Sequence, residues 1–211
     1  VAQGARAAPV ASDDPHGLSI VSVGVPLHGV SLEIRRDGAV VGDGEIGEIC
    51  VKSDSVMREY FEDAAATAEA LDNGWLKTGD LGYLRAGELF VTGRSKELII
   101  IAGRNYYPHD LESAAAEVVG VRAARVVAFA VESDDGEAAV VVAETDGAPP
   151  ADLAYTVAQA VAARVGIRPR EVLLLPRGSL PVTSSGKVQR SATRDRFFAD
   201  ALAVRETRQI S

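Results

Sequence analysis

Two rhythms of apolar and polar residues divide the chain. From residue 18 into the nineties, apolar residues come in short alternating runs broken at close intervals by Gly, Asp and Pro. That spacing predicts strands and tight turns: strands over 19–23 and 30–34, a turn at Asp37-Gly38, a strand at Val40-Val41 and another over 45–52. Asp63 is placed to cap a short helix over 64–71, and Asp72-Asn73-Gly74 supplies residues tolerant of the left-handed backbone to end it. Trp75 and Leu76 follow as packing anchors. Strands over 81–84 and 88–92 then pair across Arg85-Ala86-Gly87.

Beyond Lys96 the rhythm changes to strands alternating with helices, so a domain boundary is expected near residues 94–97. A strand is predicted over 98–101, and Pro108 opens a helix reaching about Val119, with Asp110 and Glu112 suited to its dipole. Strands over 124–131 and 138–144 flank an Asp134-Asp135-Gly136 turn. Pro149-Pro150 introduces a second helix whose Leu153, Val157, Val161 and Val165 share one stripe. A strand over 171–175 and a terminal helix over about 191–202, docking through Phe197, Phe198 and Leu202, complete the pattern. The fold class predicted is α+β: a small antiparallel β portion over residues 1–95, then a compact α+β domain over 96–211. Residues 1–17 lack periodicity and read as an irregular lead-in.

Composition narrows the possible partners. A hydrophobic share of 47% across 211 residues is ample for packed cores, and a formal net charge of −8 argues against nucleic acid or an anionic membrane surface as the main partner. No apolar run approaches the roughly 18 residues of a membrane span, so no span is expected and a cytoplasmic protein is. The single cysteine, Cys50, alternates within a strand pattern and reads as a small buried hydrophobe. His16, His28 and His109 lack metal-ligand spacing to one another or to cysteine, so no metal site is predicted from this chain.

Three places carry candidate chemistry. Asp80, after Gly79, is a short carboxylate able to accept from a vicinal diol such as a ribose, although an aspartate there also fits a plain turn. Arg94, after Gly93, offers a planar donor fork for ribose or phosphate oxygens, or a surface ion pair. Lys96 stands where the two rhythms meet and suits a residue whose backbone must rotate, as it would suit any exposed linker. Far along the chain, Pro181-Val182-Thr183-Ser184-Ser185-Gly186-Lys187-Val188-Gln189-Arg190 joins small hydroxyl residues and a glycine to one ammonium. Its spacing excludes a P-loop, and alone it fits an exposed polar loop. Tyr106 and Tyr107 fit either core or groove.

Taken together these segments resemble the adenylate-forming superfamily of acyl-CoA synthetases, luciferases and nonribosomal adenylation domains. Four pieces match in order: Gly44-Glu45-Ile46-Gly47-Glu48-Ile49 with Tyr60 and Thr67; Thr78-Gly79-Asp80; Gly93-Arg94-Ser95-Lys96; and residues 181–190. Within the superfamily, Arg104-Asn105-Tyr106-Tyr107-Pro108-His109-Asp110-Leu111-Glu112 resembles the fatty acyl-AMP ligase phrase Arg-Asn-His-Tyr-Pro-Gln-Asp-Ile-Glu, with Tyr106 and His109 departing from it.

The resemblance implies roles. Asp80 and Arg94 would bind the ribose of ATP or AMP, Lys96 would be the hinge, and Lys187 would act in the adenylation transition state. Gly103 would lie on the loop that turns toward the acceptor thiol. A fatty acid would be activated by ATP with Mg2+ to acyl-AMP, and the acyl group passed to the phosphopantetheine thiol of an acyl carrier protein or polyketide synthase carrier domain. The rival readings are an acyl-CoA ligase, an amino-acid-activating domain, or a non-catalytic carrier-docking module. The phosphate loop, acyl tunnel and metal-binding glutamate of the family have no counterpart in these residues. The chain is therefore expected to be the end of a large adenylation domain plus the small mobile domain, inactive alone.

Overall fold

The computed structural model describes residues 6–11, 14, 17, 19–133 and 136–204, and the backbone of 206–209. The chain divides into two units, Val1–Lys96 and Glu97–Ser211. His16 and the predicted Asp134-Asp135 turn lie outside the described residues.

The first unit is built on strands β1 (Ser22–Gly24), β2 (Ser31–Arg36), β3 (Ala39–Val40) and β4 (Gly47–Lys52), helix α1 (Ala64–Ala70), and strands β5 (Leu71–Asp72), β6 (Trp75–Arg85) and β7 (Glu88–Arg94). They form one antiparallel sheet in the order β1-β7-β6-β4-β2-β3, with β5 paired to β6. Asp63 caps α1 as expected, its side chain accepting from the Ala66 amide at 2.8 Å. The predicted helix stop at Asp72-Asn73-Gly74 is a hairpin instead. Leu71 and Asp72 pair with Leu76 and Trp75, and Asn73 and Gly74 both take positive φ, the backbone a tight two-residue turn requires. Trp75 thereby begins an eleven-residue strand, longer than the four residues the alternation suggested.

Ile34, Ile49, Cys50 and Tyr83 are buried, and Tyr83 stacks on its cross-strand partner Phe90 at 4.9 Å. Burial first, and then the neighbouring Glu48 carboxylate, raises the Cys50 thiol pKa, consistent with a packing role rather than a nucleophile. Gly82 is needed here because a β-carbon would stand 2.4 Å from the Phe90 carbonyl oxygen.

In the second unit, β8 (Ile99–Ile101) and β9 (Arg104–Tyr106) form a hairpin before α2 (Pro108–Ala116). Then come β10 (Val121–Ser133), β11 (Gly136–Thr145), α3 (Leu153–Val165), β12 (Glu171–Pro176), α4 (Arg190–Phe198) and β13 (Glu206–Gln209). The four-stranded sheet runs β10-β11-β12-β13, with β11 and β12 parallel and the outer pairs antiparallel. It is buried on both faces, which explains the unbroken apolar runs of β11 and β12. Val126, Ala128, Val141 and Leu174 face α2 and α3, whereas Val127, Phe129, Val140 and Leu175 face Leu180, Phe197 and Leu202.

Leu153, Val157 and Val161 are buried as the stripe predicted. Phe198 is not docked: it is 60% exposed, under the Arg194 guanidinium. Tyr107 is core, and Tyr106 packs against the core. Strands β9 and β13 lack a legible sequence signal, since each is only three or four residues long.

Candidate functional site

In the first unit, the site residues are set by the β6–β7 ladder. Asp80 and Arg94 are cross-strand partners, and the Arg94 Nε donates to Asp80 Oδ1 at 2.7 Å. Asp80 therefore sits within a strand rather than on the free turn the glycine suggested. The strand is irregular there: Gly79 has φ +74°, and its amide donates to Glu48 Oε1 at 3.1 Å. Thr78 Oγ1 donates to the Ile49 carbonyl at 2.8 Å and accepts from the Asp80 amide at 3.1 Å. Ser95 Oγ donates to the Gly79 carbonyl at 3.1 Å. The Thr-Gly-Asp triplet is thus pinned from both flanks while its carboxylate stays open to solvent, with the Asp80 side chain 37% exposed.

Lys96 lies in the 3-10 turn Ser95–Glu97, its ammonium 3.7 Å from Glu69 and its side chain 88% exposed. A pair this exposed adds little stability. Tyr60 and Thr67 also meet: the Tyr60 amide donates to Thr67 Oγ1 at 2.9 Å, beside an open cleft of about 630 Å³ lined by residues 59–64, 67, 68 and 71.

In the second unit, Gly103 is at the tip of the β8–β9 hairpin, where Ala102 and Gly103 have φ of 50° and 73°. Lys187 lies on the returning arm of a closed loop, paired with Thr183. Val182 bridges to Val188, the Thr183 amide donates to the Lys187 carbonyl at 2.8 Å, and the Lys187 amide donates to Thr183 Oγ1 at 3.1 Å. Gly186, at φ +82°, donates its amide to the Thr183 carbonyl, and its own carbonyl accepts from Arg125 Nη1 at 2.9 Å. The threonine and the glycine of this loop therefore do structural work, and the lysine side chain is left exposed.

Two charged groups behind this loop were not evident in the sequence. Glu112, first read as a complement to the helix dipole, accepts on Oε1 from the Ala128 amide at 2.9 Å and from Arg190 Nη2 at 2.8 Å. Arg190 also donates to Glu97. Glu144 is fully buried. Burial pushes its carboxyl pKa up, but the Leu180 and Gly178 amides and the Arg122 guanidinium outweigh that and hold it below the usual range. No local signal marks these contacts, because Glu112 and Arg190 are 78 positions apart. Among the described residues no group of three or more His, Cys, Asp or Glu side chains is arranged to hold a metal ion. Among the described residues no helix is long and apolar enough to cross a membrane.

No family model matches the chain. Individual relatives do. A putative acyl-CoA synthetase of Caulobacter vibrioides is 40% identical over 80% of this chain and 30% of its own length. A long-chain-fatty-acid–AMP ligase of Mycobacterium tuberculosis is 34% identical over 92% of this chain and 37% of its own. Among solved structures, the fatty acyl-adenylate ligases from E. coli and L. pneumophila superpose with a TM-score of 0.78 at 34% identity, covering 95% of this chain and 37% of that one. The McyG A-PCP structure with phenylalanyl-adenylate gives a TM-score of 0.78 at 34% identity, covering 86% of this chain and 34% of that one.

With its antiparallel first unit and its α+β second unit, the chain belongs to the adenylate-forming superfamily. Within it the chain is like the fatty acyl-AMP ligases, as the Tyr-Pro phrase indicated. It spans about a third of the length of the curated relatives it matches.

Proposed function

We propose that the chain contributes the ribose-holding edge and the mobile catalytic domain of a fatty acyl-AMP ligase. The observation carrying this reading is the Asp80–Arg94 pair, an exposed carboxylate oriented by a guanidinium at 2.7 Å on a rigid strand ladder. Such a carboxylate can accept from both hydroxyls of a ribose while the arginine holds its plane. In the whole enzyme a fatty acid carboxylate oxygen attacks the α-phosphorus of ATP, and the bond to pyrophosphate breaks, giving acyl-AMP. Lys187 offsets the negative charge that grows on the reacting oxygens.

A carrier-protein phosphopantetheine sulfur then attacks the acyl carbonyl, and AMP leaves. The McyG A-PCP likeness supports a carrier as acceptor. In this reading residues 1–95 end the large domain, residues 96–211 form the mobile one, Lys96 is the pivot, and the Gly103 hairpin tip turns toward the acceptor thiol. Mg2+ would supply charge neutralisation on the phosphates. In this reading this chain's own residues supply the ribose, hinge, transition-state and acceptor-side roles. A cytoplasmic location belongs to the same reading.

The test uses the longer ligase carrying this chain. Lys187→Ala is expected to abolish acyl-AMP formation and leave transfer from supplied acyl-AMP largely intact; equal loss of both half-reactions would sink the assignment. Free CoA accepting the acyl group as well as holo carrier protein does would favour an acyl-CoA ligase, in keeping with the Caulobacter relative. Calorimetry of the chain alone with ATP should show no tight binding, and turnover by it alone would overturn the reading.

A further inference from the structure

The charged cluster behind the Lys187 loop is not used by the reaction as described. Arg190 is the first residue of α4 and is only 25% exposed at its side chain. Its Nη2 reaches both oxygens of Glu112, at 2.8 and 3.1 Å, and its Nη1 reaches Glu97. Glu112, 18% exposed, is itself anchored by the Ala128 amide of the central hairpin. One guanidinium therefore joins three elements of the second unit: the residue that begins it, helix α2, and the exit of the loop that carries Lys187. Ahead of the loop Leu180 is buried in the core, whereas after Lys187 the apolar anchor is only the partly buried Val188. A planar fork with two carboxylate partners is the strongest fixed point within reach.

We propose that Arg190 is a positioning residue for Lys187, a clamp that holds the loop base on Glu112 and keeps Glu97 attached to the second unit. The clamp has two consequences. The loop moves with α2 and β10 as one body, so the direction of the Lys187 ammonium is set by the domain rather than by loop motion. Backbone rotation is also confined to Lys96 and the residues before it, because Glu97 is tied down immediately after. The catalytic half of this inference rests on the assignment of Lys187 above; the clamp itself does not.

The experiment therefore has two arms. In the 211-residue chain, amide hydrogen exchange is compared for wild type and Arg190→Gln. Exchange at Gly186, Lys187 and Gln189, all hydrogen-bonded within the loop, is expected to speed up by at least about tenfold on loss of the charge-assisted bonds. The β11 core amides should stay unchanged. Unchanged loop exchange, or equal acceleration everywhere, overturns the clamp.

In the longer ligase, Arg190→Gln is expected to lower kcat for acyl-AMP formation by about tenfold or more with the KM for ATP within about threefold, because loop order acts on the transition state. Arg190→Lys should recover part of the loss. The double variant with Lys187→Ala should be no worse than Lys187→Ala alone. A normal kcat in Arg190→Gln where Lys187→Ala is dead overturns the positioning role. A fully active Lys187→Ala variant would instead overturn the functional assignment and leave the exchange result to decide the clamp.

Discussion

Asp80 and Arg94 face each other as the end pair of the β6–β7 ladder, with Nε donating to Oδ1 at 2.7 Å and Leu81 and Gly93 paired next to them. Neither residue stands on a flexible loop. In the longer ligase Asp80→Ala is expected to raise the KM for ATP by about tenfold or more, the scale of losing a charge-assisted hydrogen bond. The isolated chain should keep its melting temperature to within a few degrees, because an exposed pair contributes at most about 1 kcal/mol. Pyrophosphate exchange and thermal melting check the two halves, and a large drop in melting temperature would make the pair structural.

Glu144 is expected to control acid stability. Its folded pKa is lowered, so its contribution is fully present above the ordinary carboxylate value and is lost as pH falls through the depressed one. Glu144→Gln leaves Arg122 without its 2.6 Å partner and should destabilise the chain by about 1–3 kcal/mol at neutral pH. The difference from wild type should shrink in acid. Urea unfolding at several pH values measures both, and a deficit independent of pH would contradict the linkage.

His109 works in the opposite sense. The Asp110 carboxylate, with Oδ1 2.9 Å from the imidazole Nε2, raises its pKa against the effect of burial. The stabilisation is present below the unfolded value of 6.5 and lost as pH rises through the folded one. An NMR titration should place the imidazole midpoint above 6.5, and Asp110→Asn should bring it down. A midpoint unmoved by that substitution would assign the shift elsewhere.

Gly82 and Gly87 should differ although they lie five positions apart. A β-carbon at Gly82 meets the Phe90 carbonyl oxygen at 2.4 Å and Ile49 at 2.9 Å, so Gly82→Ala must separate β6 from β7 and is expected to destabilise by about 2 kcal/mol or more. Gly87→Ala meets nothing within 4 Å and pays only for its left-handed φ of +83°, about 1 kcal/mol. Denaturant midpoints of the two variants test the ordering.

Much of the architecture was legible because the signals were local. The change of hydrophobic rhythm near Lys96, the Asp63 cap, Pro108 at a helix start and the 153–161 stripe each depend on residues within one or two turns of each other. The candidate residues Asp80, Arg94, Lys96, Gly103 and Lys187 were legible as types in an ordered set of motifs. What the local pattern misread was Asp72-Asn73-Gly74, a hairpin taken for a helix stop, because the same positive-φ residues serve both turns and only the pairing of Leu71 with Leu76 decides between them.

By itself, then, the sequence determined most of the elements and the chemistry available at each motif, since these follow from backbone propensity and side-chain type. Only the tertiary structure decided that Asp80 lies opposite Arg94 on a strand, that Glu144 is a buried ion rather than a surface acid, and that Glu112, Arg190 and Glu97 form one cluster. Those facts depend on register and on packing between residues tens of positions apart. A charge cannot announce from its own neighbours which distant donor will replace its water.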